Sequence, residues 1–180
     1  MSDWIDDFVD WTVDVNSPEI FKLWGGIAAV AGALQRRVWL TTRQGSVYPN
    51  LYTFLVASPG IGKSEIIKKV NELWATNKKI FIAPDNVTKA SLIDELTKCA
   101  TKITVNSSSL LEFNSLAVCS SEWGVLCPTY DLEFLNALNN IFDNPKNYRE
   151  TRRTMNKDID IPYPQINLLT GTQPKFLAST

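Results

Sequence analysis

The chain has 180 residues, a formal net charge of −1, no histidine, and 44% hydrophobic residues, enough for one domain with a sizeable core. The balanced charge excludes a global positive field for nucleic acid, so any such contact has to be local. The missing histidine excludes Ser-His-Asp and Cys-His catalysis and the usual His-bearing zinc sites. Cys99, Cys119 and Cys127 are scattered, odd in number and without CxxC spacing, and read as reduced thiols of a cytoplasmic protein. The longest near-continuous apolar run, residues 27–34, is too short to span a bilayer, which predicts no membrane association. The acidic N-terminus lacks the basic segment of a signal peptide.

Trp4, Phe8 and Trp11 stand at i, i+4 and i+7, with Asp3, Asp6, Asp7 and Asp10 mostly off that stripe. The pattern predicts a short acidic amphipathic helix, either docked on the core or serving as a partner-binding arm. Ser17-Pro18-Glu19 reads as a helix start, with Ser17 as N-cap and Pro18 at the first helical position. Apolar residues then carry that helix to about Gln35. Residues 37–43 and 47–50 flank Gln44-Gly45-Ser46 and predict a hairpin.

Residues 51–57 form an apolar strand, followed by a glycine-rich turn and a helix over 63–74 with Ile66, Val70, Leu73 and Trp74 on one face. A second strand is predicted over 79–83, a helix capped by Thr88 over 89–100, and a third strand over 116–120. Asp131 caps a helix running through Phe142, a hairpin spans 148–154 and 159–163, and a fourth strand covers 166–170. Strands alternating with helices predict an α/β fold of three layers around a mostly parallel sheet. Residues 1–47 read as an N-terminal helical segment and hairpin, and 48–180 as the core.

Ala57-Ser58-Pro59-Gly60-Ile61-Gly62-Lys63-Ser64 matches the phosphate-binding pattern G-x-x-x-x-G-K-[ST] at every fixed position but the first, where Ala57 stands. Gly60 and Gly62 let the backbone curl so that successive N–H groups face phosphate oxygens, and the helix starting at Lys63 adds its positive end. Lys63 reaches the outer phosphates, and Ser64 offers a hydroxyl to Mg²⁺. The candidate binding residues for ATP or GTP are Ser58, Pro59, Gly60, Ile61, Gly62, Lys63, Ser64 and Glu65. The strand before the motif and the amphipathic helix after it are the context a P-loop requires.

Hydrolysis needs more than a phosphate cradle. The run Leu116-Ala117-Val118-Cys119 leads to Ser120-Ser121-Glu122, where P-loop ATPases carry a pair of acids. Glu122 is the candidate general base or water-orienting residue, and it also faces the metal through water. Ser121 takes the metal-side position, also through water, with no charge to offer. At the end of the fourth strand, Gln173 is the candidate γ-phosphate sensor, with Thr172 second. Lys63, Glu122 and Gln173 thus form the catalytic set.

Arg149, Arg152, Arg153 and Lys157 cluster on the hairpin before the fourth strand. Three readings stand for them: contact with single-stranded DNA phosphates, a solvated and soluble hairpin, or an arginine serving a neighbouring subunit's nucleotide.

With these motifs assembled, the chain resembles phage and prophage P-loop ATPase domains of primase-helicase proteins, and more distantly superfamily 3 helicases and AAA+ ATPases. Ala31-Gly32-Ala33-Leu34-Gln35-Arg36-Arg37-Val38-Trp39, Tyr48-Pro49-Asn50-Leu51-Tyr52, Ser121-Glu122-Trp123-Gly124 and Leu168-Leu169-Thr170-Gly171-Thr172-Gln173-Pro174 carry the resemblance. It implies an Mg²⁺-dependent ATPase of phage DNA replication, helicase-like, acting as a homo-oligomeric ring on single-stranded DNA. It also implies further elements after the fourth strand, so the chain reads as a core truncated at its C-terminus. The alternative is a nucleotide-binding regulatory or assembly module with little turnover. A small-molecule phosphotransferase is a third reading, against which no basic lid segment is recognisable.

Overall fold

A computed structural model of the chain describes residues 3–105, 109–127, 131–152 and 157–178. Helix α1 (Trp4–Trp11) starts where the Asp3 carboxylate accepts from the amides of Ile5 (2.8 Å) and Asp6 (2.9 Å). Phe8 is its buried residue, docked against Gly26 of the next helix, so the amphipathic stripe packs on the molecule.

Helix α2 (Glu19–Leu34) opens differently from the expectation. Pro18 is the cap residue and its carbonyl accepts from Phe21 and Lys22, while the Ser17 hydroxyl makes no capping bond. Ser17 instead lies packed beside Gly62. Small residues along α2 then admit helix α3 (Lys63–Thr76) at close range. Ile66 fills the space over Gly25, and the Trp74 ring fills that over Gly32 while donating from Nε1 to the Ala29 carbonyl at 3.0 Å.

A single turn of 3-10 helix, Gln35–Arg37, follows α2. It takes residue 37 out of the expected hairpin, which is shorter: β1 (Leu40–Thr42) against β2 (Gly45–Val47). Buried Arg36 donates to the Pro164 carbonyl at 3.0 Å and stacks 3.9 Å from the centre of the Tyr48 ring. Burial pushes its guanidinium pKa down from the ordinary value.

The remaining elements are β3 (Tyr52–Val56), β4 (Phe81–Ile82), α4 (Lys89–Lys98), β5 (Ala100–Val105), β6 (Ser109–Ser120), α5 (Trp123–Leu126), α6 (Leu132–Phe142), β7 (Asn147–Arg152), β8 (Lys157–Pro162), β9 (Pro164–Thr172) and α7 (Pro174–Ala178). The central sheet runs β3-β9-β6-β4 with every neighbouring pair parallel. Strand β5 adds an antiparallel partner to β6, so the sheet is mixed and mostly parallel. That pairing corrects two expectations. Helix α4 stops at Lys98, where Cys99 caps it, and the third strand begins at Ser109, well before residue 116. Thr88 and Asp131 do cap α4 and α6, through bonds to the amides of Ser91 and Phe134.

Strand alternation splits the core into two faces. Leu116 and Val118 of β6, with Ile166 and Leu168 of β9, pack under α4, α6 and the β7–β8 hairpin. Ala117, Cys119 and Leu169 point the other way, to the layer built by α1, α2 and α3. Both faces are covered, as a mostly parallel sheet requires. Among the described residues no helix is long and apolar enough to cross a membrane.

Candidate functional site

The parallel register sets three strand ends side by side. Val56 of β3 pairs with Thr172 of β9, and Thr170 of β9 pairs with Ser120 of β6. One further bond, from the Ala57 amide to the Thr172 carbonyl at 3.2 Å, extends the ladder into the turn. The glycine turn, Gln173 and the Ser121–Glu122 turn therefore leave the sheet along one rim, the carboxyl ends where open α/β sheets bind ligands.

Gly60 and Gly62 have φ of 81° and 79°, left-handed conformations that suit glycine. Gly62 is constrained a second time, since a Cβ there would fall on the backbone carbonyl of Asn16. The first backbone bond of α3 runs from Ile66 N–H to the Gly62 carbonyl (3.4 Å). The earlier amides of that turn thus have no acceptor within the helix. Lys63 is 7% exposed, and its ammonium donates to the carbonyls of Ala57 (2.6 Å) and Ser58 (2.8 Å). It lies folded over the turn, and among the described residues its hydrogen bonds go to these two neutral carbonyls.

A cavity of about 470 Å³ is walled by Pro59, Gly60, Ile61, Gly62, Lys63, Ser64, Glu65, Glu122, Gln173 and Asn16. Lys63, Glu122 and Gln173 thus meet around one space of ordinary ligand size. Ser58 contributes its carbonyl to Lys63. Thr172 is fully buried and its hydroxyl has no hydrogen-bond partner, so Gln173 is the one of the two that reaches the cavity.

The backbone of Glu122 is fixed from three directions. Its carbonyl accepts from the Ser120 hydroxyl at 3.0 Å, the Val125 amide at 3.1 Å and the Leu126 amide at 3.4 Å. The next residue, Trp123, packs edge-on to Phe54 of β3 with ring centres 5.0 Å apart. Among the described residues no hydrogen bond or ion pair engages the Glu122 carboxylate. Gly171 brings the turn close, because a Cβ there would stand 2.6 Å from the Ser121 carbonyl.

Ser121 and Ser64 share a neighbouring cavity of about 340 Å³ with Asn71, Asp85, Cys119 and Ser120. Its hydroxyl, amide and carboxylate oxygens suit a hard cation such as Mg²⁺, while Lys68 brings a positive charge and Cys119 a thiol to the same lining. No group of three or more acidic or thiol ligands occurs among the described residues, so a cation there would depend on phosphate and water for its other ligands. The Cys119 thiol is pushed up to about 12 by burial and then by the charge of Asp85, and burial takes Cys99 to about 12 as well. Both stay protonated near neutral pH and are poor nucleophiles.

A larger hollow, about 740 Å³, lies elsewhere, along the outer edge of β3 between Trp24 and Phe142. Its walls are mostly apolar and lack convergent charged groups, so the smaller cavity over the glycine turn is the better candidate.

The basic hairpin divides. Arg152 is 13% exposed at its side chain and donates to Asp94 (2.9 Å), Glu150 (3.0 Å) and the Ala90 carbonyl (2.8 Å). Its charge is thus paired within the fold, an arrangement closer to the reading of a hairpin solvated and balanced by its own charges than to an arginine left open for DNA. Lys89 closes the network on Glu150 at 2.9 Å. Arg149 is 74% exposed and pairs with Asp160 at 3.1 Å. Lys157 enters β8 opposite Arg152. Arg153 lies outside the described residues.

Asn16 and Asp85 were not foreseen. Asp85 had a faint signal, an acid just past a proline that ends a strand; Asn16 had none. Compared with known proteins, the chain matches no family model and no curated protein.

Proposed function

We propose that the chain is a P-loop protein that binds ATP or GTP over the Ala57–Ser64 turn and hydrolyses ATP slowly with Mg²⁺. The observation that carries this is the meeting of Lys63, Ser64, Glu122 and Gln173 around one cavity at the ends of adjacent parallel strands, above two left-handed glycines. A triphosphate entering there takes over the Lys63 ammonium from the carbonyls of Ala57 and Ser58. Ser64 and, through water, Ser121 would hold Mg²⁺, which supplies charge neutralisation on the phosphates. Glu122 orients the attacking water and draws its proton as the new P–O bond forms, and the bond to the leaving diphosphate breaks. Gln173 hydrogen-bonds the terminal phosphate.

The test is equilibrium binding of a fluorescent ATP analogue, followed by phosphate release. Lys63→Ala is expected to abolish binding, and Glu122→Gln to keep binding while losing turnover. Binding unchanged by Lys63→Ala would sink the reading.

The wider role, a helicase-like ring of phage DNA replication acting on single-stranded DNA, has narrower support. Exposed Arg149 favours it, while the commitment of Arg152 to Asp94 and Glu150 removes one of its cations. ATPase stimulated by single-stranded DNA, with nucleotide-dependent assembly on size exclusion, tests that part. A second reading, a nucleotide-binding regulatory module with little turnover, is favoured by the uncharged Ser121 beside Glu122.

A further inference from the structure

Resting on the nucleotide-binding reading, we propose that Asp85 is the metal-side acid of the site, supplying from the neighbouring strand the charge that Ser121 lacks. Strand β4 pairs in parallel with β6, Phe81 beside Leu116 and Ile82 beside Ala117, and the Ala83 amide continues to the Ala117 carbonyl at 2.8 Å. The pairing ends at this bond, and Pro84, whose missing N–H faces away from β6 on this edge strand, leads into a bend at Asp85. Asp85 is the next residue. It lines the 340 Å³ cavity together with Ser64 and Ser121, the two residues on the metal side, and with Lys68.

Two further observations agree. Among the described residues no hydrogen bond or ion pair engages the Asp85 carboxylate. The Oδ1 of Asn71, at the same cavity, is buried without a donor. A buried acceptor and a carboxylate around one wet space suit the water shell of a cation that keeps most of its own waters.

The sign of the effect separates this role from a merely structural one. Without metal, a carboxylate beside a triphosphate only repels it, so Asp85→Asn should bind a metal-free fluorescent ATP analogue at least as tightly as the parent chain. With Mg²⁺ the order reverses. The magnesium concentration at half-maximal tightening should rise roughly tenfold or more, the usual cost of losing an acid that holds a metal's own ligands.

The experiment is a titration of the 180-residue chain with the analogue, in EDTA and across a magnesium series, for the parent, Asp85→Asn, Ser121→Asp and the double variant. A raised magnesium midpoint in Asp85→Asn, restored in the double variant, supports the proposal. A parent-like midpoint in Asp85→Asn overturns it, as does a double variant no better than the single one. If the parent does not bind the analogue, or Lys63→Ala binds like the parent, the nucleotide reading fails instead.

Discussion

Lys63 and Arg152 are both cations drawn into the fold by short bonds, and they end in opposite conditions. Lys63 is held by two backbone carbonyls, neutral acceptors that an arriving anion can replace. Arg152 is held by two carboxylates, Asp94 and Glu150, with Lys89 balancing the second. A cation on neutral acceptors keeps its charge for a ligand, whereas one between carboxylates has already used it. Counting basic residues along the sequence gives the hairpin more weight than the glycine turn. Their partners reverse that order.

Substitutions should separate the two regions by readout. Lys63→Ala should cut nucleotide affinity about a hundredfold or more, ~3 kcal/mol, with little change in melting temperature, by calorimetry of both. Loss of stability without loss of affinity would place Lys63 with Arg152. Gly62→Ala attacks the frame of the same turn through its positive φ and the Asn16 carbonyl. About 2 kcal/mol of stability should go in urea unfolding, and nucleotide affinity should fall with it. Arg152→Ala should do the reverse of Lys63→Ala, costing ~1–2 kcal/mol of stability while leaving nucleotide affinity untouched.

The smallest effect concerns pH. Burial alone would raise the Glu150 carboxyl, but hydrogen bonds from Lys89, Arg152 and Tyr148 outweigh it and hold its pKa below the ordinary 4.5. A carboxylate depressed on folding contributes stability above its unfolded value and loses it as pH falls through the folded one. The stability advantage of the parent over Glu150→Gln should therefore be full near neutrality and shrink below about pH 4.5. Thermal melts across that range check it. A constant difference would mean that the Glu150 network does not depend on charge.

How much was legible depended on how local the cause is. Strand β3, helix α3 and the glycine turn between them follow from an apolar run, a helical stripe and two glycines, all within neighbouring residues. The caps at Thr88 and Asp131 are as local. Ser17 carries the same capping chemistry yet makes no such bond, because α2 seats it against Gly62, a partner far away in sequence. The β5–β6 pairing went unseen for a related reason. Residues 100–105 continue from a helix and show only the alternation of Thr101, Ile103 and Val105, while their partners lie in the next strand. Gln173 and Glu122 were found because each ends an apolar run. Asn16 reaches the cavity because α2 packs on α3 through Gly25 and Gly32, a fact of packing that no motif encodes.

The contact of Trp123 with Phe54 has an optical consequence. Of the six tryptophans, Trp74 and Trp123 are buried, and Trp123 directly follows the candidate water-orienting carboxylate. Its indole leans edge-on against the strand that feeds the glycine turn. The difference in emission between the parent and Trp123→Phe isolates one fluorophore at this junction. Stopped-flow mixing with nucleotide can then test for a change at the turn without any attached dye, because the indole sits one residue from the candidate carboxylate.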